Sequence, residues 1–302
     1  MDKLSYDFQN TYREKNIYDP TIFSHIDSVV KVHDQAYNNP MSSAASCLNV
    51  LGSMAQMPDD LLPYLNSFGL NIQKLIPFPT KANVGGEIYN DIGYVIFEWI
   101  GPKVSPINEK GGGRGFQKTS VDAYVLAVIG GKITQLIIEW KFTEGKSRPL
   151  ALERFSGLRG VERLRRYSTI LVDMRNGKSF PFNFEDELGI GLYDFSIDHL
   201  YQLLRMTLLA KTTTPITIGD MKVEDYRVVH LTHSKNDDIN ILYDKYLDFS
   251  PGLKKYSGQQ LHEVWKDILS PSEKSKFIGA HWDEAIKNIP NNSLMKYLFE
   301  RY

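Results

Sequence analysis

The sequence predicts an α/β fold, and three observations carry that expectation. Two β-branched, apolar runs flank Gly130-Gly131, a strong signal for a hairpin with a two-residue loop. Ile197, Leu200, Leu204 and Leu208 recur at helical spacing. Residues 226–232 read as a buried strand. Helices, strands, a hairpin, a helix and a further strand, in that order, are how an α/β chain is written.

The elements follow from their punctuation. Residues 1–20 read as an irregular arm. Asp19-Pro20 opens a helix with Ile22, Ile26 and Val29 on one stripe, and Asn38-Asn39-Pro40 breaks it. Ser42 or Ser43 caps a second helix through about Gln56. Pro58-Asp59-Asp60 starts a third, ending near Gly69. Residues 94–100 form a strand. Residues 109–115 are rich in glycine and read as a plain mobile loop, with Arg114 as a candidate phosphate contact. After the hairpin, residues 149–168 read as a helix with a basic face and Arg175-Asn176-Gly177-Lys178 as a turn. Glu185-Asp186-Glu187 reads as an exposed acidic loop. Ser196 is expected to cap a helix through Lys211, with Asp198, Gln202 and Arg205 on the face away from the leucines. The C-terminal third is expected to be helical. Leu261, Val264, Trp265 and Ile268 form one stripe there, and Ser270-Pro271-Ser272-Glu273 starts a helix.

The two-residue loop fixes a register. If Ile129 faces Lys132, then Asp122 faces Glu139 and Ser120 faces Lys141. Opposed residues share a face, and so do residues two apart on a strand. The hairpin therefore gathers an aspartate, a glutamate and a lysine among apolar residues. Facing carboxylates repel unless a proton, a cation or a metal offsets the repulsion. Magnesium takes hard oxygen ligands, commonly one or two carboxylates with several waters. A nearby lysine can orient or help deprotonate a metal-bound water, or stabilise developing charge. The combination suits phosphodiester hydrolysis. An ordinary salt bridge on a solvated sheet face is the plain alternative. Against it, Ile137, Ile138, Trp140 and Phe142 surround the charges, and charge in an apolar strand is costly unless paired or metal-bound.

At these residues the sequence resembles the PD-(D/E)xK nuclease superfamily, specifically an uncharacterised bacterial branch. The resemblance rests on Ser120-Val121-Asp122-Ala123 and on Ile137-Ile138-Glu139-Trp140-Lys141-Phe142-Thr143-Glu144. It extends to Tyr201-Gln202-Leu203-Leu204-Arg205 and to Tyr226-Arg227-Val228-Val229-His230. It implies a restriction-endonuclease-like α/β/α sandwich with a central mixed sheet and added N- and C-terminal helices. It also implies Asp122 and Glu139 as Mg2+ ligands, with Mn2+ as a substitute, and Lys141 as the catalytic lysine. The Trp140 carbonyl is a further candidate ligand. Val121 stands where the motif often has proline. Many members add a glutamate from a preceding helix, and residues 42–56 hold none. Glu98 is the substitute candidate, its plain reading being a surface pair. The expected organisation is a helical arm at 1–40, a nuclease-like core at 41–235 with an insertion at 145–194, and a helical extension at 236–302 packed on the core.

Composition bounds the rest. The chain has 302 residues and a formal net charge of −1, so it is no polycation as a whole. Locally, residues 141–178 hold ten Lys or Arg against four Asp or Glu. That stretch suits a polyanion, and a solvated helix face is its plain reading. Arg163, Arg166, Gln202, Arg205 and Ser120 are the candidate substrate contacts. Cys47 is the single cysteine, which excludes intrachain disulfides and Cys-rich zinc sites; it reads as a buried structural thiol. Gly145-Lys146-Ser147 lacks the earlier glycine of a phosphate loop, since Trp140 stands there. His230 and His233 are three apart on a strand and face opposite ways. His262 and His281 are placed in helices without a partner motif. No signal-peptide pattern or membrane-length apolar run is present, so the expected setting is cytoplasmic with no membrane partner. The function expected is a Mg2+-dependent endonuclease acting on DNA, with a homodimer as one way to cut both strands. Two other readings stay open: a catalytically inactive nucleic-acid-binding protein of the same fold, and a structural or interaction protein with a simple hairpin salt bridge.

Overall fold

The computed structural model describes residues 16–29, 39–84, 87–110, 118–145, 149–184 and 189–302. The N-terminal elements are α1 (Pro20–Val29), α2 (Ser43–Cys47) and α3 (Pro58–Asn66). Ser42 caps α2, its hydroxyl accepting from the Ala45 N–H at 3.3 Å, and a π-turn over Leu48–Gly52 continues the helix.

The central sheet is mixed. Its strands are β1 (Lys74–Ile76), β4 (Val95–Trp99), β5 (Val121–Ile129), β6 (Lys132–Trp140), β9 (Asp225–Thr232) and β10 (Phe277–His281). Strands β5 and β6 form the antiparallel hairpin, with β1 and β4 pairing antiparallel along the other edge of β5. Strand β9 runs parallel to β6, and β10 parallel to β9. Two small hairpins stand outside the sheet, β2 (Lys81–Val84) with β3 (Glu87–Asn90) and β7 (Ile216–Ile218) with β8 (Met221–Val223).

Helices cover both faces of the sheet. Gln135 Nε2 donates to Thr214 Oγ1 at 2.6 Å, at the end of α5 (Asp198–Thr212). Trp140 Nε1 donates to Ser46 Oγ in α2 at 2.8 Å. Gln135 and Trp140 have opposite parity on one strand, so α2 and α5 lie on opposite faces. This is the expected α/β architecture with a central mixed sheet. The core between the layers is aromatic: Trp99, Tyr124, Trp140, Phe142 and Trp282 are fully buried, and Trp140 stacks on Trp282 at 4.9 Å. Among the described residues no helix is long and apolar enough to cross a membrane.

Four expectations are corrected. The basic helix, α4, spans Gly157–Asn176 rather than 149–168. Gly157 has φ +62°, and a Cβ on Gly160 would lie 2.1 Å from the Phe155 carbonyl carbon. The chain turns back on itself there, so helical winding begins only afterwards. Ser196 does not cap α5. Ile197 occupies the N-cap position with no side-chain bond, because Ser196 closes a short 3-10 turn at Leu192–Ser196. The segment 236–302 is not purely helical. Besides α6 (Leu261–Ile268) and α7 (Asn292–Arg301), it supplies β10 to the sheet. His281 therefore ends a strand rather than sitting in a helix. Finally, residue 109 of the segment read as a loop over 109–115 is held in place, and residues 111–115 lie outside the described residues. Glu109 is buried and fixed, while Arg114 lies outside the described residues. The acidic run 185–187 lies outside them as well.

Candidate active site

The hairpin has the register read from its loop, from Ile129 opposite Lys132 to Ala123 opposite Ile138. Gly130 and Gly131 take the positive φ values of 58° and 77° that such a loop demands. The ladder then stops one pair short of Asp122 and Glu139. Beyond that point β5 continues along β4, Val121 opposite Trp99, while β6 continues along β9, Glu139 opposite His230. The strands fork at the pair Asp122 and Glu139, whose carboxylates still feel each other. Instead of a backbone carbonyl, Asp122 Oδ2 accepts the Trp140 N–H at 2.6 Å.

Three predicted residues meet in this fork. Lys141 Nζ donates to Glu139 Oε1 at 2.5 Å, and both side chains are over nine-tenths buried. Burial pushes the Asp122 carboxyl well above the usual aspartate range, and the neighbouring Glu139 adds to this. Burial also raises Glu139, against the pull of Lys141. Burial opposes the charge on Lys141, but Glu139, Glu144 and Asp122 outweigh it and hold the ammonium. Glu98, half-buried, takes an unusual φ of +53° opposite Asp122 and accepts from Ser120 Oγ at 2.7 Å. Its charge also raises Asp122. Its bond partner is therefore a hydroxyl at the fork.

Sequence reasoning missed Glu144 as a member of this group. Ser43, the first residue of α2, holds it by donating from Oγ to Oε1 at 2.5 Å, and the Phe142 N–H of its own segment donates to Oε2 at 2.9 Å. Cys47, buried in α2, has its thiol pushed up by burial, then by Asp122, Glu98 and Glu139. That is the inert structural cysteine expected.

The carboxylates suit a hard cation. Each gives one oxygen to the protein, Asp122 Oδ2 to Trp140 and Glu139 Oε1 to Lys141. Among the described residues no donor reaches Asp122 Oδ1 or Glu139 Oε2. Carboxylates outnumber the single lysine, so the fork has room for positive charge. Among the described residues no group of three or more His, Cys, Asp or Glu side chains is arranged to hold a metal. Two carboxylates, backbone oxygen and water are the donor set that magnesium accepts.

A cleft of about 480 Å³ comes to the fork at Ser120; Arg154, Arg159, Arg163, Arg166, Gln202 and Arg205 line it with Glu109, Glu162 and Asp198, while Asp122, Glu139 and Lys141 stand outside its lining. Helix α4 thus turns much of its basic face to the cleft. Arg205 does not touch Lys141. It donates to Thr119 Oγ1 at 2.9 Å and Glu109 Oε1 at 3.2 Å, and its charge reaches Glu139. Glu109 is the buried anchor of this wall, accepting also from the Thr119 N–H at 2.6 Å. Tyr201 joins the wall too, its ring 5.2 Å from the Arg205 guanidinium and 5.5 Å from that of Arg163.

On the far side of Glu139, His230 Nδ1 lies 3.0 Å from His262 Nε2. The two histidines are partners in space though far apart in sequence.

The model of a family described as restriction endonuclease associating with ARP matches residues 6–302. No curated protein matches the chain, and no solved structure does. With nearly its whole length matched, the chain belongs to the REase-ARP family, a restriction-endonuclease-like family.

Proposed function

We propose that this chain is a metal-dependent endonuclease of the PD-(D/E)xK type that hydrolyses phosphodiester bonds of DNA. The observation that carries the reading is the meeting of Asp122, Glu139 and Lys141 in the hairpin fork beside a basic cleft. Asp122 and Glu139 would hold Mg2+, or Mn2+ in its place, with the Trp140 carbonyl as a further ligand. When bound, such an ion makes a coordinated water more acidic and offsets charge on phosphoryl oxygens. Lys141 presents a buried ammonium to the same spot, where it stabilises negative charge developing on the phosphate and orients the attacking water. Ser120, Arg163, Arg166, Gln202 and Arg205 line the cleft, where the substrate strand would lie. DNA as substrate follows from the restriction-endonuclease family. The family description also names an association with ARP, which for this chain belongs to the same proposal.

The test is cleavage of supercoiled plasmid and of single-stranded DNA in Mg2+. Wild type should cut, and excess chelator should stop it. Asp122→Ala and Lys141→Ala should each slow cleavage by about 10²-fold or more. Equal activity in all three proteins would sink the proposal.

A further inference from the structure

The cations of the cleft divide into two kinds. Four are paired within the protein. Arg154 meets Asp198 at 2.6 Å, Arg205 meets Glu109 at 3.2 Å, and Lys110 and Arg166 share Glu162 at 2.8 and 3.4 Å. The other three, Lys118, Arg159 and Arg163, meet no carboxylate among the described residues. Arg159 is exposed. Arg163 gives Nη1 to the Arg154 carbonyl at 2.7 Å and stands over the Tyr201 ring.

Lys118 is the unusual member. It is only 7% exposed, yet it lines the cleft. Its Nζ donates to the carbonyls of Pro102 at 3.2 Å and Lys103 at 3.1 Å. An ammonium has three N–H donors, so one is left over. Buried charge without a counter-ion is expensive. Two carbonyls orient the ammonium without neutralising it. An anion arriving through the cleft would do both.

We infer that Lys118, with Arg159 and Arg163, forms an anchoring site for a backbone phosphate of the bound strand, separate from the phosphate that is cut. The inference rests on the nuclease reading of the cleft. Lys118 precedes Asp122 by four residues, so at most about 14 Å of chain separates them. That upper bound is the rise of about four nucleotides on one strand, so the two phosphates lie within about that spacing. A phosphate held there sets which bond reaches the fork. It also accounts for the site's chemistry, because phosphate oxygens only accept hydrogen bonds and carry the charge the three cations lack.

The experiment is anisotropy of a fluorescein-labelled DNA duplex in EDTA, titrated with protein over a range of salt. Lys118→Gln should weaken binding by roughly 3–10-fold and flatten the slope of log affinity against log salt by about one contact's worth, ~0.9. Lys118→Arg should keep the wild-type slope. Lys296→Gln, on an exposed side chain of α7 outside the cleft, should change neither quantity. A wild-type slope in Lys118→Gln refutes the anchoring site and leaves the nuclease reading standing. Should Lys118→Gln fail to fold, Arg163→Gln carries the test, and an unchanged slope there refutes the site equally. Failure of wild type to bind DNA overturns the nuclease reading, and this inference with it.

Discussion

Lys141 Nζ sits 2.5 Å from Glu139 Oε1, and the two side chains are only 8% and 6% exposed. They lie two residues apart at the end of one strand, so the pleat turns both to the α5 side. Taking both ions out of water is repaid only by close contact and further partners. Removing the cation therefore strands Glu139 and its acidic neighbours. Lys141→Met should cost about 3–5 kcal/mol of unfolding free energy. Urea denaturation measures this, and a loss well under 1 kcal/mol would mean that the pair is not buried as described.

Asp122 should behave oppositely. Its folded pKa lies above its unfolded one, first through burial and then through Glu139. Folding thus takes up a proton, so the ionised group costs stability, increasingly as pH rises from about 4 through the raised folded value. Asp122→Asn should melt a few degrees above wild type at pH 8 without metal. The gap should close as pH approaches 4. A gap independent of pH would contradict this account.

His199 gives a pH dependence of the other sign. Burial lowers its pKa to about 4, and neither ring nitrogen has a partner among the described residues. The unfolded chain then binds a proton that the folded one refuses. Stability should fall as pH drops from about 6.5 to about 4, by roughly 3 kcal/mol from this residue. His199→Gln should flatten that limb of the denaturation profile.

Arg205 and Glu109 hold one wall of the cleft together. Arg205→Ala leaves the buried Glu109 without its cation and should cost about 3–5 kcal/mol, whereas Glu109→Ala leaves an Arg205 that is 21% exposed and still bonded to Thr119, and should cost less. The double variant should lose less than the sum, with a coupling above about 1 kcal/mol in a double-mutant cycle. Strict additivity would show that the two act independently.

The hairpin and its charged end were legible because the information is local. Gly130-Gly131 needs positive φ, and a two-residue loop dictates each partner from Ile129 and Lys132 down to Ala123 and Ile138. The Leu200, Leu204 and Leu208 stripe was legible for the same reason, as a period. What escaped reading is non-local. The fork at Asp122 arises because β5 leaves for β4 while β6 leaves for β9, a choice made by strands distant in sequence. Strand β10 is parallel, so its pairing rests on a long excursion and no turn announces it. Glu109 read only as part of a loop, and Lys118 carried no signal at all, since their partners, Arg205 and the carbonyls of Pro102 and Lys103, converge only in three dimensions. Glu144 was visible in the motif's flank, but its bond to Ser43 spans a hundred residues.

Asp122 and Glu139 are proposed to share one divalent ion in the fork of the hairpin. Calorimetric titration of the purified protein with Mn2+ tests it most directly. Wild type should bind saturably at a single site, and Asp122→Asn and Glu139→Gln should each abolish binding while both variants stay folded. Undiminished Mn2+ binding in the two variants, or none in wild type, would contradict it.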